Sequence, residues 1–174
     1  KKLNSYFVSA KNNKLDIECS ILKSNFFLDT HNYFPISEEY HSFLELFCWS
    51  DKSKYNIFYS EDFIKNFQSN FKQFNTLSDV YILGSSSNDN YYRNLITFLP
   101  RLFFIEEKKI KLAIHRKSSN KYRNFLKKIC ENMNIDIKFI FLDDSFYKFK
   151  NSQIPQFLEK KDSIKILNNL RIAN

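Results

Sequence analysis

Along residues 79–174 the apolar positions alternate between two rhythms. "DVYILG" (Asp79–Gly84) is a short, partly β-branched run ended by glycine, as a buried strand is. From Tyr92, the positions Leu95, Ile96, Leu99, Leu102 and Phe103 recur at helical spacing. Pro100 lacks an N–H and crowds the preceding turn, so it must kink or end that helix. "IKLAIH" (Ile110–His115) reads as a second strand. Ser118 or Ser119 then caps a helix carrying Tyr122, Phe125, Leu126, Ile129 and Met133 on one face. "IDIKFIFL" (Ile135–Leu142) is a third strand. Beyond Pro155, the residues Phe157, Leu158, Ile164, Leu167 and Leu170 suggest a terminal helix. The order β-α-β-α-β-α is that of an α/β fold with a parallel, doubly wound sheet.

The first half is less regular. Apolar runs at Tyr6–Val8, Ile17–Leu22 and Phe26–Leu28 read as strands, and so does "YNIFY" (Tyr55–Tyr59). Ser37 can cap a helix with Tyr40, Phe43, Leu44, Phe47 and Cys48 on one face. Ser60 can cap another through Phe63, Ile64, Phe67 and Phe71. The chain therefore divides into an α+β part, 1–78, and a more regular part, 79–174. The two belong to one domain, with the first joining the sheet or forming a small lobe in front of it.

Composition narrows the function classes. The apolar content of 43%, with 20 Phe and 10 Tyr, excludes a disordered chain. No run is long enough for a transmembrane helix, and nothing near Lys1 has the pattern of a signal peptide. The formal charge of +8 invites a nucleic-acid partner, but only five of the 27 basic residues are arginine, the residue suited to bidentate phosphate and base contacts. Most lysines therefore read as solvated surface. Cys19, Cys48 and Cys130 are odd in number and form no CxxC pair, which points to a reducing, cytoplasmic setting. His31, His41 and His115 have no metal-ligand spacing, so no metal site is expected. A single glycine excludes both glycine-rich nucleotide-binding fingerprints, and no cofactor is expected.

In an open parallel sheet, ligands bind beyond the carboxyl ends of the strands. Three loops would share that edge: Gly84–Asn90 ("GSSSNDN"), His115–Ser119 ("HRKSS") and Asp143–Ser145 ("DDS"). Hydroxyls, amides, cations and paired carboxylates together suit a hydroxylated or anionic small ligand. The candidate binding residues are Asn88, Asp89, Asn90, Arg93, His115 and Arg116. Arg101 has a plainer expected role, pairing with Glu106 or Glu107.

"NDNYYRNLITFLPRLFFIEE", a following strand, the "YRNFLKKI" helix and "IKFIFLDDSFYKFKNSQIPQF" together resemble the family 61 glycosyltransferases. The motif of that family reads roughly N-Y-[YF]-H-[WF]-[LM]-x-D-x-L-P-[RK]-[LI]. The resemblance covers about Asp79 to Phe157. Asn90, Tyr91, Tyr92, Leu99, Pro100, Arg101 and Leu102 match, whereas the histidine of the motif is Arg93, its next aromatic is Asn94 and its acid is Thr97. The resemblance implies one lobe of a two-lobed GT-B architecture, a Rossmann-like three-layer domain with a mainly parallel sheet that faces the sugar acceptor. A second lobe, absent from this chain, would hold most of the nucleotide-sugar site. Arginine cannot act as a general base at working pH, and threonine cannot replace a carboxylate. The expected function is therefore an acceptor-side lobe that does not transfer sugar alone. Its partners would be a sugar acceptor or nucleotide sugar in the full-length protein, and the missing lobe or a second copy of the chain. The alternatives are a non-catalytic partner module, a nucleic-acid binder using lysines and interleaved aromatics, and lastly a hydrolase using Asp143, Asp144 or His115.

Overall fold

The computed structural model describes residues 7–12, 14–30, 33–38, 62, 65, 67, 69, 74–86, 88 and 90–172. The strands are β1 (Phe7–Asn12), β2 (Ile17–Asp29), β3 (Phe34–Ser37), β4 (Asn75–Ser78), β5 (Val80–Ile82), β6 (Lys109–His115), β7 (Asp136–Leu142) and β8 (Phe146–Pro155). Among the helical elements whose bounds fall within the described residues, α1 (Tyr91–Arg93) runs into a π-helical turn (Asn94–Phe98) and a 3-10 segment (Leu99–Phe104). Two regular helices follow, α2 (Asn120–Asn132) and α3 (Lys160–Ile172).

The chain is α/β with one mixed sheet, in the order β1-β2-β8-β5-β6-β7, with β3 added on β2 and β4 on β8. Strands β5, β6 and β7 are parallel neighbours, joined through the helical segments as the residue pattern predicts. The doubly wound, parallel expectation needs amending at β2, which pairs antiparallel with β1, β3 and β8. Residues from both sequence parts, 1–78 and 79–174, thus share one sheet. The proposed helix on 40–48 and the strand at 55–59 lie outside the described residues, as do Cys48, His31 and His41. Of the helix expected after Ser60, Asp62, Lys65, Phe67 and Ser69 are described and are helical.

The residue pattern assigns no element to 146–155, where the structure has β8. Its buried positions are Tyr147 and Phe149, then Ser152 and Ile154 with Pro155 at its end, so the alternation changes phase at Asn151. A strand whose period slips midway gives no clean two-residue signal.

That slip has a geometric purpose. Strands β7 and β8 run in the same direction, because β5 is parallel to both β6 and β8. Only Asp143–Ser145 join them, and three residues reach at most roughly 14 Å between flanking Cα atoms. A seven-residue strand such as β6 is roughly 20 Å long, so a flat sheet could not be closed by that link. The sheet instead folds along a line through Asn25, Asp79 and Asn151. Asp79 (φ 56°) and Asn151 (φ 44°) take the left-handed conformation that Asp and Asn tolerate best. Asn25 Oδ1 accepts the Asn151 N–H at 2.9 Å, and Asn151 Nδ2 donates to Asp79 Oδ1 at 2.7 Å.

Three cores result. Val80, Ile82, Ala113 and Leu142 pack against Leu22, Phe26, Leu28, Tyr147 and Phe149, so one face of β5–β7 is covered by the folded half of the sheet. The other face carries Tyr81, Leu83, Leu112 and Ile114 against Leu99, Leu102, Tyr122, Leu126 and Ile129. The third gathers Ala10, Ile17, Cys19 and Ile21 with Phe104 and Ile166. Cys19 and Cys130 are buried, and burial pushes each thiol up to about 11.

The kink expected from Pro100 takes a particular form. The Leu99 N–H reaches back to the Asn94 carbonyl, a five-residue span. Widening the turn before Pro100 accommodates a ring that an ordinary turn would clash with, and the chain then tightens into the 3-10 segment.

Arg101 departs most from expectation. Instead of turning outward to Glu106 or Glu107, it is fully buried. Its Nη1 donates to Leu83 O at 2.7 Å, and its Nη2 to Pro155 O at 2.7 Å and Ile82 O at 3.2 Å. The guanidinium lies 4.1 Å from the centroid of the Phe157 ring. One side chain thus ties the carboxyl ends of β5 and β8 together.

Candidate functional site

Strand order puts the three polar loops on one edge, and hydrogen bonds join them there. Register sets His115 beside Leu142, so Asp143 and Asp144 follow immediately beyond it. His115 is fully buried. Its Nδ1 accepts the Lys117 N–H at 3.1 Å, which leaves the proton on Nε2, where it is donated to Asp144 Oδ1 at 3.0 Å. The His115 N–H donates to Ser85 Oγ at 2.9 Å, binding the first loop to the second. On the outer rim, Arg116 Nε donates to Asp143 Oδ1 at 2.7 Å; both groups are exposed, so this contact weakens with salt. At the end of β2, the Thr30 hydroxyl shares its one proton between the Asp143 and Ser145 carbonyls and accepts the Ser145 N–H, anchoring the third loop.

The first loop is held from below. Tyr33 is buried, and its hydroxyl accepts the Ser85 N–H at 3.0 Å while donating to Ser85 O at 3.1 Å. Asn94, also fully buried, accepts the Ser86 N–H on Oδ1 at 2.7 Å. Its Nδ2 has no hydrogen-bond partner among the described residues. Ser86 Oγ donates to Asn88 Oδ1. Asn90 caps α1, its Oδ1 accepting the Arg93 N–H at 3.0 Å. Asn88 and Asn90 are exposed, and so are Tyr91 and Tyr92, the latter 65% accessible.

The structure therefore unites His115 and Arg116 with Asp143 and Asp144, and connects them through Ser85 and Ser86 to Asn88, Asn90 and the start of α1. Asp89 lies outside the described residues. Arg93 is half-buried, its guanidinium carbon 6.0 Å from the centroid of the Phe98 ring. Tyr33, Thr30, Ser85 and Asn94 hold the edge together, yet residue type alone does not single them out. Their roles depend on backbone partners far away in sequence.

Chemically, the described residues of the edge offer amides, phenols and charges, and none of them forms an accessible proton-transfer pair. Both ring nitrogens of His115 are engaged within the protein and its ring is shut from solvent, so it orients loops. Burial opposes ionisation of Asp144, but His115 and Lys117 outweigh it and hold the carboxyl below its ordinary range. A carboxyl depressed on folding stabilises the fold above the ordinary carboxylate range and loses that contribution as pH falls through its folded-state pKa. Asp144→Asn is thus expected to show a flatter acid limb than the parent when urea midpoints are followed from neutral pH downward; identical limbs would remove Asp144 from the account.

Among the described residues, no group of three or more His, Cys, Asp or Glu is placed to hold a metal ion. No helix among them is long and apolar enough to cross a membrane. No family model, curated protein or solved structure matches the chain.

Proposed function

We propose that the carboxyl edge of β5–β7 binds the hydroxyl-rich acceptor of a glycosyltransferase-like reaction, and that this chain acts as a binding lobe without transferring sugar itself. The observation that carries this reading is the convergence on one edge of Asn88, Asn90, Tyr91 and Tyr92 with the loops tied by His115. Amides supply paired donors and acceptors for sugar hydroxyls, and an exposed tyrosine supplies a flat apolar face with a polar tip. The resemblance to the family 61 glycosyltransferases supports the reading. Of its matched residues, Asn90 caps a helix, Leu99 and Leu102 are core, and Arg101 clamps two strands. The motif thus persists here as scaffold. A Rossmann-like, GT-B-type lobe is the architecture this reading assigns to the domain.

Absence of transfer follows from the residues present. Arg93 and Thr97 stand where the motif has its histidine and acid, and His115 is occupied. Calorimetric titration with a panel of mono- and disaccharide acceptors tests the proposal. Asn90→Asp keeps the capping oxygen while removing the amide donor, so it separates binding from folding. We expect saturable binding that weakens by about tenfold or more in Asn90→Asp and in Tyr92→Ala. Binding indifferent to both substitutions would overturn the site, and sugar transfer by the chain alone would overturn the non-catalytic role.

A further inference from the structure

A concavity of about 440 Å³ opens at the opposite, amino-terminal edge of the same sheet. It is roughly 20 Å from His115 along β6. Its size falls within the roughly 300–1,000 Å³ of small-molecule sites. The buried residues Val80, Tyr81 and Ile110 contribute to its lining, while Lys23, Lys109, Lys111 and Lys138 supply four cations against Asp79, Glu107 and Asp136.

The strand register explains how these groups meet. Lys111 of β6 lies directly beside Lys138 of β7, with Val80 of β5 on its other side. One row away, Gln153 of β8 lies between Tyr81 and Lys23. Like charges set side by side on neighbouring strands repel. Lys111 stands in register with Lys138, and its ammonium donates to Ser78 O at 2.9 Å. Two of the nearby acids are also engaged by neutral side chains. Asp79 Oδ1 accepts from Asn151 at the fold line, and Glu107 Oε1 accepts from Gln153 at 2.5 Å. Lys111 is 4.0 Å from Asp79 and Lys109 is 3.6 Å from Asp136, exposed pairs that a ligand can displace cheaply.

We propose that this cleft binds a small phosphorylated molecule, its oxyanion bridging Lys111 and Lys138, with Lys23 and Lys109 at the rim. Several ammonium point charges around one concavity suit a multiply charged tetrahedral anion better than a planar carboxylate, which a bidentate arginine would recognise. The three acids on the rim disfavour an extended nucleic-acid backbone, so the ligand is a discrete phosphate ester or polyphosphate. This site is independent of the acceptor edge, and either can fail without the other.

Inorganic pyrophosphate is the probe, with calorimetry and thermal unfolding as readouts. We expect saturable binding that raises the parent Tm. Affinity should fall by about tenfold or more in Lys138→Gln and be largely retained in Lys138→Arg. Without pyrophosphate, Lys138→Gln should unfold no earlier than the parent, because it relieves the repulsion; this shows that lost binding is not lost folding. Tyr92→Ala, at the other edge, should bind pyrophosphate as the parent does. No saturable binding at millimolar pyrophosphate, or binding indifferent to Lys138→Gln, would overturn the proposal. So would displacement of pyrophosphate by a short single-stranded oligonucleotide at lower concentration.

Discussion

Arg101→Met is expected to destabilise the protein by roughly 3–5 kcal/mol, the scale of leaving buried polar partners unsatisfied. The carbonyls of Ile82, Leu83 and Pro155 would lose their guanidinium donors in the interior, where water does not replace them. Methionine fills most of the volume, so the loss reads out hydrogen bonding and charge more than a cavity. Arg101→Lys should recover little, because a single ammonium lacks the planar fork that serves two strands at once and the face that stacks on Phe157. A domain of ordinary stability, about 5–15 kcal/mol, would lose a large fraction of it. Urea denaturation of the two variants checks this; a methionine variant within about 1 kcal/mol of the parent would show that the clamp is dispensable.

Gly84→Ala should have the next largest effect, for a different reason. Gly84 holds φ at 79°, a conformation that L residues adopt at a cost of roughly 1–2 kcal/mol. A Cβ there would also come within 2.8 Å of Tyr33 Cε1 and 2.9 Å of Phe98 Cε1, and neither ring is at the end of a flexible chain. Overpacking of that kind adds about 1–3 kcal/mol, so the total expected is roughly 2–5 kcal/mol. Phe98→Leu in the Gly84→Ala background should restore part of the contact cost and none of the backbone cost. The site would feel the change too, because the same tyrosine holds Ser85 on both backbone polar groups. A Gly84→Ala protein with an unchanged urea midpoint would contradict the crowding.

These two residues show what the sequence discloses and what it withholds. β5, β6, β7 and α2 are legible because each buries one face of a regular element, so hydrophobic periodicity survives intact. β8 is illegible because its phase slips at Asn151, where the sheet folds. Arg101 is hidden for another reason. Its acceptors are main-chain carbonyls, which leave no trace in residue type, while the acids at 106 and 107 offer a plausible but incorrect partner. The polar edge is readable as a set of loops, since each follows a strand. The hydrogen bond from His115 to Asp144 crosses 29 residues and depends on the register of β6 with β7.

Stability and the proposed binding site meet at this edge. Arg101 and Gly84 both lie at or just beyond the end of β5, and the loop they hold in place carries Asn88 and leads to Asn90. Variants that loosen β5 are therefore expected to weaken ligand binding before they unfold the domain.

The most direct test of a binding lobe is backbone amide shift mapping by NMR while the chain is titrated with sugar acceptors. The acceptor-lobe account predicts saturable shifts concentrated at Asn88, Asn90, Tyr91, Tyr92 and Arg93, with smaller ones at Arg116 and Lys117. An absence of shifts there with every acceptor, or saturable shifts confined to the amino-terminal edge around Lys109–Lys111 and Asp136–Lys138, would contradict it.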